Sequence, residues 1–467
     1  MDILMVTAEL SPYARASRAG DVVAALSKAL CQLEHRVTVA IPRYPGFDAG
    51  GLLAARRLTP LKLANGAEVT VLDSQLPTGA KLVLLDSPSL FERPEVFGRP
   101  AEDAERAEFL CEAALALTRQ RGEREPFDVV HLHDWPAAAL AVRLASLPSA
   151  VPSVLTIHDP ARRGVVPAEV AARLGVAPND DGQRQSASLL TSGASRASAV
   201  TSVSSAVARD LVDAGRFGPL AAALSSRAEE IVGIPSGLDY AIYNPATDAA
   251  LRSRYDAEDP SNKGSAKTEL LRSRGLELGI ERPLCVAIVE EGPDGGIDLL
   301  ERAAEHILRN DVYVFVLLRG EVPFDKLDRL RSEMGDRLAV EQSLDEPTAR
   351  RACAAADIAV LPARYEATAT FARIAQRYGA LPVAQASGAH LDAIVDADAA
   401  LDTGTGFLYE EPSSTALAGA VSRAVAAFSA PRWAALRRRV MRLDLAWDRP
   451  ARRYAQVYRQ AKLAAAR

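Results

Sequence analysis

Four stretches of the chain place polar or ionisable side chains where an α/β protein could use them. The first is Met1 to Asp21. Its apolar Ile3-Leu4-Met5-Val6 predicts a buried strand, a mostly polar loop follows, and Asp21 is expected to open an amphipathic helix. A strand, a loop and a helix N-terminus form the usual phosphate-holding device, because first-turn N–H groups have no intrahelical partner and point outward. Here the loop has one glycine, Gly20, where such a device normally has several. The second stretch ends the apolar run Val129 to Leu132 with His131, His133, Asp134 and Trp135. His-x-His puts both rings on one face of a strand, but no third ligand follows at a known metal-site spacing, so no metal is expected. The third is His158-Asp159, just past Val154 to Ile157. In the fourth, Gly292, Gly295 and Gly296 lie among Glu290, Glu291 and Asp294. Those glycines could cradle a phosphate, but beside three acids they predict a plain exposed turn.

The elements that must position these residues follow from apolar periodicity. Val22, Val23, Leu26, Ala29, Leu30 and Leu33 recur at helical spacing. Short apolar runs at Arg36–Ile41, Leu82–Leu85, Val129–Leu132, Val154–Ile157 and Ala199–Val203 alternate with helical segments. That alternation predicts a parallel, doubly wound sheet with ligands at the strands' carboxyl ends. Gly, Pro and turn formers from Pro235 to Asp259 predict a linker. A second set follows, with strands at Leu284–Val289, Val312–Leu318, Ile358–Leu361 and Leu381–Ala384, and a helical tail over Trp447–Leu463. The expected fold class is α/β: two Rossmann-like doubly wound domains facing a central cleft. The expected divisions are 1–240, 241–446, and a tail over 447–467 that crosses back to the first domain.

Composition narrows the partners. The 467 residues exceed what one core organises and suit two domains. A formal net charge of −5 gives no basic footprint for nucleic acid. The four cysteines, Cys31, Cys111, Cys285 and Cys353, are scattered and read as small buried residues in a reducing compartment. No segment reads as membrane-spanning, and a cytoplasmic location is expected.

Several stretches together resemble the bacterial glycogen synthase and starch synthase family, glycosyltransferases of GT-B fold. They are FDVVHLHDW (Phe127 to Trp135), LTIHDPARRGVVP (Leu155 to Pro167), GIPSGLDYAIYNPATD (Gly233 to Asp248), RYGALPVAQASGAHLDAIVD (Arg377 to Asp396) and DLAWDRPARRYAQVY (Asp444 to Tyr458). The resemblance runs in order over nearly the whole chain. It implies transfer of glucose from ADP-glucose to the non-reducing end of an α-1,4-glucan with retention, and no cofactor or metal for the transfer.

The resemblance also assigns roles. Asp21, His158 and Glu366 match catalytic positions. Arg15, Gly20, Arg364, Thr368 and Ala369 match positions around the nucleotide sugar, and Asp134 and Trp135 match the acceptor side. The family's K-T-G-G-L-[GA]-D loop is represented by Arg15-Ala16-Ser17-Arg18-Ala19-Gly20-Asp21, so Ser17 and Arg18 replace two glycines. That loop either grips an anion through Arg15 and Arg18 or is a solvated loop with two surface arginines. In the family's S-R-L-x-x-Q-K-G stretch the cationic positions hold Glu290 and Gly295. A carboxylate ~4 Å from a phosphate charge is repelled by roughly 4 kcal/mol at an effective dielectric of about 20. In E-P-C-G-L the carboxylate is kept as Glu366 and the glycine has become Ala369. Two readings follow: a glucosyltransferase using ADP-glucose, or a catalytically inactive relative that binds glucan or regulates a partner synthase.

Overall fold

The computed structural model describes residues 1–121, 125–147, 151–177, 186–343 and 345–466. The chain forms two compact units, Met1–Gly237 together with the stretch from Trp447 onward, and Leu238–Ala446. They are called unit 1 and unit 2 below.

Among the described residues, unit 1 is built on a ten-stranded sheet. Its central strands are Ala199–Ser202, Ser153–Ile157, Val129–His133, Asp2–Val6, Arg36–Pro42 and Lys81–Asp86, neighbours in that order and parallel throughout. The middle three of these, Ser153–Ile157, Val129–His133 and Asp2–Val6, are buried along their whole length. That explains their near-continuous apolar sequence, since a parallel sheet is covered on both faces. Beyond Lys81–Asp86 the sheet turns antiparallel, with Glu68–Gln75 pairing it in reverse. The alternating buried and exposed residues of Glu68–Gln75 are those of a half-covered edge. The helix Asp448–Ala465 packs on the helix Arg18–Gln32 and on two central strands.

Unit 2 holds a six-stranded parallel sheet ordered Leu338–Gln342, Tyr313–Arg319, Leu284–Glu290, Ile358–Leu361, Leu381–Gln385, Phe407–Tyr409. One face of this sheet packs against the helices Ile297–Leu308 and Ser414–Phe428 through residues such as Val289, Leu300, Val316, Val360 and Val421. The outer strands Leu338–Gln342 and Phe407–Tyr409 are too short and mixed for an apolar run to reveal them.

The first helix starts earlier than Asp21. It spans Arg18–Gln32, with Ser17 as the cap whose hydroxyl accepts the Ala19 N–H. Serine is a preferred cap because its oxygen satisfies an orphan first-turn donor. Gly20 and Asp21 therefore lie inside the first helical turn rather than in the loop and at the cap.

Candidate active site

Three adjacent strands of unit 1, Asp2–Val6, Val129–His133 and Ser153–Ile157, deliver their following residues to one carboxyl-end rim. The loop after the first is organised by Glu9, a buried side chain. Its Oε2 accepts the N–H groups of Ala16 and Ser17 at 2.8 and 2.6 Å, and its Oε1 accepts the Ser17 hydroxyl at 2.8 Å. Burial pushes the Glu9 carboxyl above its ordinary value, against those three donors. Thus two loop N–H groups just ahead of the helix are aimed at an internal carboxylate.

Asp21 collects the loop's charge. It accepts the Ser11 hydroxyl at 2.5 Å, and the guanidinium groups of Arg15 and Arg18 lie 2.8 and 3.2 Å away. Both arginine side chains are partly covered, at 24% and 11% exposure. Both sit against a first-turn carboxylate that the helix dipole also favours.

Asp134 begins the helix that follows Val129–His133 and has φ +56°, a left-handed conformation that aspartate tolerates better than most residues. Its Oδ1 accepts the N–H groups of His158 at 2.7 Å and Asp159 at 3.2 Å. Burial first, and then the Asp159 carboxylate, push the Asp134 carboxyl well up. The His158 ring meets His133, Nε2 to Nδ1, at 3.0 Å. His131 is held by Thr156 and Tyr458, each at 2.7 Å. Burial lowers His131 and His158 to about 3 and takes His133 well below its ordinary value, so all three rings are neutral near pH 7. Trp135 covers Gly164, whose φ is +59° and where a Cβ would come within 2.3 Å of the indole. A small open cleft is lined by Glu9, Ser17, His133, Asp134, Trp135 and Arg162, among others.

In unit 2 the expected residues form a separate cluster. Glu366 Oε1 accepts the Thr368 N–H at 2.9 Å and the Thr368 hydroxyl at 2.8 Å, closing a tight turn on itself. Ala369, fully buried, holds a left-handed φ of +49° without the help of glycine. Arg364 pairs with Asp298 at 2.6 Å, which raises its pKa. Glu290 and Arg319 are register partners at the ends of neighbouring strands. The Arg319 guanidinium lies 3.7 Å from Glu290 and 2.8 Å from Glu346. A Cβ on Gly295 would come within 2.1 Å of the Glu290 carbonyl oxygen. The turn after Glu290 is exposed from Glu291 to Asp294, as its acids predict. Among the described residues no group of His, Cys, Asp and Glu is arranged to hold a metal.

The structure therefore joins Arg15 to Asp21, Asp134 to His158, and Glu366 to Thr368 and Ala369. Sequence reasoning missed Glu9, whose partners lie seven and eight residues away. It also missed Arg373, buried under the Glu366 turn with Nη1 donating to the Thr368 carbonyl at 2.6 Å. An arginine on the buried face of an otherwise apolar helical pattern was the available signal.

The comparisons with known proteins agree with this architecture. A family model described as the starch synthase catalytic domain matches residues 2–225. Glycogen synthase of Aromatoleum aromaticum is 32% identical, covering 99% of this chain and 98% of that protein. Glycogen synthase of an Anaeromyxobacter species is 33% identical over 98% of this chain and 99% of its own. Among solved structures, the catalytic domain of starch synthase IV from Arabidopsis thaliana, bound to ADP and acarbose, matches with TM-score 0.87 at 23% identity, covering 99% of both chains. Sucrose-phosphate synthase from Thermosynechococcus elongatus matches with TM-score 0.64 at 16% identity, again over 99% of both. The fold is that of the GT-B glycosyltransferases. The chain belongs to the glycogen synthase family. No helix among the described residues is long and apolar enough to cross a membrane.

Proposed function

We propose that this chain binds α-1,4-glucan in the unit 1 cleft and transfers glucose from ADP-glucose far more slowly than an ordinary synthase. The family reaction breaks the bond from glucose C1 to a diphosphate, so the leaving charge must be met by cations and N–H groups. The observation that carries the reading is the Glu290–Arg319–Glu346 group, in which the strand-end Glu290 and the helix residue Glu346 share the guanidinium of the strand-end Arg319. Gly295 supports it, since the backbone there leaves no room for the side chain of a lysine. On the sugar side the groups are kept: Asp134 fixes the His158 backbone, and Trp135 and His133 wall the cleft. A glucan binder of this kind would act beside an active partner synthase.

A second reading is an active glucosyltransferase, favoured by the retained Asp21, His158 and Glu366 and by Arg15 at the loop. Incubation of the pure chain with labelled ADP-glucose and glycogen separates the two. Incorporation near the background rate, with glycogen still bound, is the expected result; incorporation at an ordinary synthase pace overturns the proposal. Glu290→Arg is the informative variant for donor binding, because Gly295→Lys would force the turn apart.

A further inference from the structure

We propose that His133 is a ligand-contacting residue of the unit 1 cleft, its Nε2 hydrogen-bonding a sugar hydroxyl while its Nδ1 holds His158. The proposal rests on the reading of that cleft as a glucan site, and it names a contact which that reading does not supply.

His133 is the last residue of its strand, opposite Thr156 of the neighbouring strand, and only 2% exposed. It forms part of the cleft wall. Its Nδ1 is committed to His158 Nε2 at 3.0 Å. Each ring has one nitrogen left, His133 Nε2 and His158 Nδ1, and both are buried with no hydrogen-bond partner in the structure. An unsatisfied buried polar atom costs about 1–3 kcal/mol, so two on one joined pair call for a partner from outside the chain.

The pairing also says what kind of partner. A neutral imidazole carries one N–H and one bare nitrogen. Suppose His133 Nδ1 donates. Then His133 Nε2 is bare and His158 Nδ1 carries hydrogen. Suppose instead that His158 Nε2 donates. Then His133 Nε2 carries hydrogen and His158 Nδ1 is bare. In either case the outer nitrogens are one donor and one acceptor, and the roles can exchange. A hydroxyl group donates and accepts, so it suits either state. A phosphate or carboxylate only accepts and suits one. Burial keeps both rings neutral, and on the same wall Glu9, Asp134 and Asp159 outnumber the one cation, Arg162, which pairs with Asp159, so an anion is not favoured. Trp135 and Phe97, ring centroids 5.7 Å apart, supply apolar faces of the sort sugar rings lie against. A metal does not fit, because His133 Nδ1 is used and no metal-holding group is formed among the described residues.

The test is a titration of the full chain, labelled with ¹⁵N-histidine, with maltoheptaose. His133 Nε2 and His158 Nδ1 resonances are expected to shift on binding. His133→Phe is expected to weaken maltoheptaose by about tenfold, with His133→Gln recovering most of that loss. Maltoheptaose bound with unmoved His133 signals, or bound equally by His133→Phe, overturns the proposal and leaves the glucan reading standing. No binding by the wild type overturns the glucan reading and this proposal with it. Inorganic phosphate shifting the His133 signals in place of maltoheptaose overturns the choice of ligand. If His133→Phe fails to fold, the wild-type titration decides alone.

Discussion

The carboxyl-end rims of the two sheets carry the same kinds of polar group in different states of pairing. In unit 1 the charges of the first loop are matched among themselves, Glu9 with loop N–H groups and Asp21 with Arg15 and Arg18, while two histidine nitrogens keep unused capacity beside a cleft. In unit 2 two guanidinium groups of the rim face carboxylates: Arg319 meets Glu290 and Glu346, and Arg364, an expected donor-side residue, meets Asp298. Neutral hydrogen-bonding capacity suits a hydroxylated ligand, whereas neutralised cations suit a diphosphate poorly. On the proposed reading, internal pairing weakens the donor side while the unit 1 cleft keeps its hydrogen-bonding capacity.

If unit 2 uses charge chiefly for architecture, removing a buried cation there should unfold it rather than alter a ligand site. Lys267 gives the largest effect. Its Nζ donates to the carbonyls of Ile280 and Arg282 at 2.8 and 2.6 Å and to Asp357 at 2.7 Å, and both side chains of the ion pair are under 10% exposed. Asp357 also accepts the Leu284 N–H at 3.0 Å. Lys267→Met strands the carboxylate and should cost about 3–5 kcal/mol. Urea unfolding followed by segment-resolved proteolysis should show unit 2 opening first, with maltoheptaose binding by unit 1 kept at low urea.

Arg319→Met asks the same question at the donor rim. Arg319 is 6% exposed, Glu346 and Glu290 are 17% and 42% exposed, and the loss should be about 2–3 kcal/mol after allowing for solvent on the carboxylates. Stability falling without any change in ADP-glucose binding fits a structural pair. A selective loss of ADP-glucose binding would make Arg319 a donor-site cation and break the contrast between the rims.

Much of this was legible in the residues. The apolar runs located the central strands of both sheets to within a residue or two, because strands buried on both faces must be continuously apolar. The strand at Glu68–Gln75 escaped because its outer face is wet and its sequence mixed. Asp21 reads as the helix start because the true cap, Ser17, stands at a position the family motif fills with glycine. Long-range pairings were the least legible. His133 and His158 are separated by 25 positions and meet only through strand register. Glu290 reads as an isolated inversion of charge until register sets Arg319 beside it.

Acid gives a smaller effect with a defined sign. His131 has a folded value of about 3 against an ordinary 6.5. Between those values the unfolded chain binds the extra proton, so its contribution to stability is complete above about pH 6.5 and falls as pH drops towards 3, by about 1.4 kcal/mol per unit. Glu9 and Asp134, with raised values, bend the overall profile the other way. The clean measurement is a difference. His131→Phe should be less stable than wild type at pH 7.5, and that deficit should shrink by about 1.4 kcal/mol per unit on acidification below 6.5. In unit 2, His390→Phe should show the same closing gap over a shorter window, since burial lowers His390 only to about 4. Parallel profiles for variant and wild type would mean that these rings are protonated in the fold.

The finest test concerns the lost glycine at Ala369. An L-residue in the left-handed region costs roughly 1–2 kcal/mol, which glycine avoids. Glycine in return surrenders a buried methyl, worth about 0.8 kcal/mol, and brings extra freedom to the unfolded chain. Ala369→Gly should therefore change stability by less than about 1 kcal/mol. The turn itself is held from both sides, by Glu366 on Thr368 and by Arg373 on the Thr368 carbonyl, so the backbone should not move. ADP binding is then the sharper readout. If removing one methyl strengthens ADP binding measured by calorimetry, a single carbon limits the donor side of unit 2. If binding is unchanged, the paired charges at Glu290 and Arg319 dominate, which is the outcome the contrast between the two rims requires.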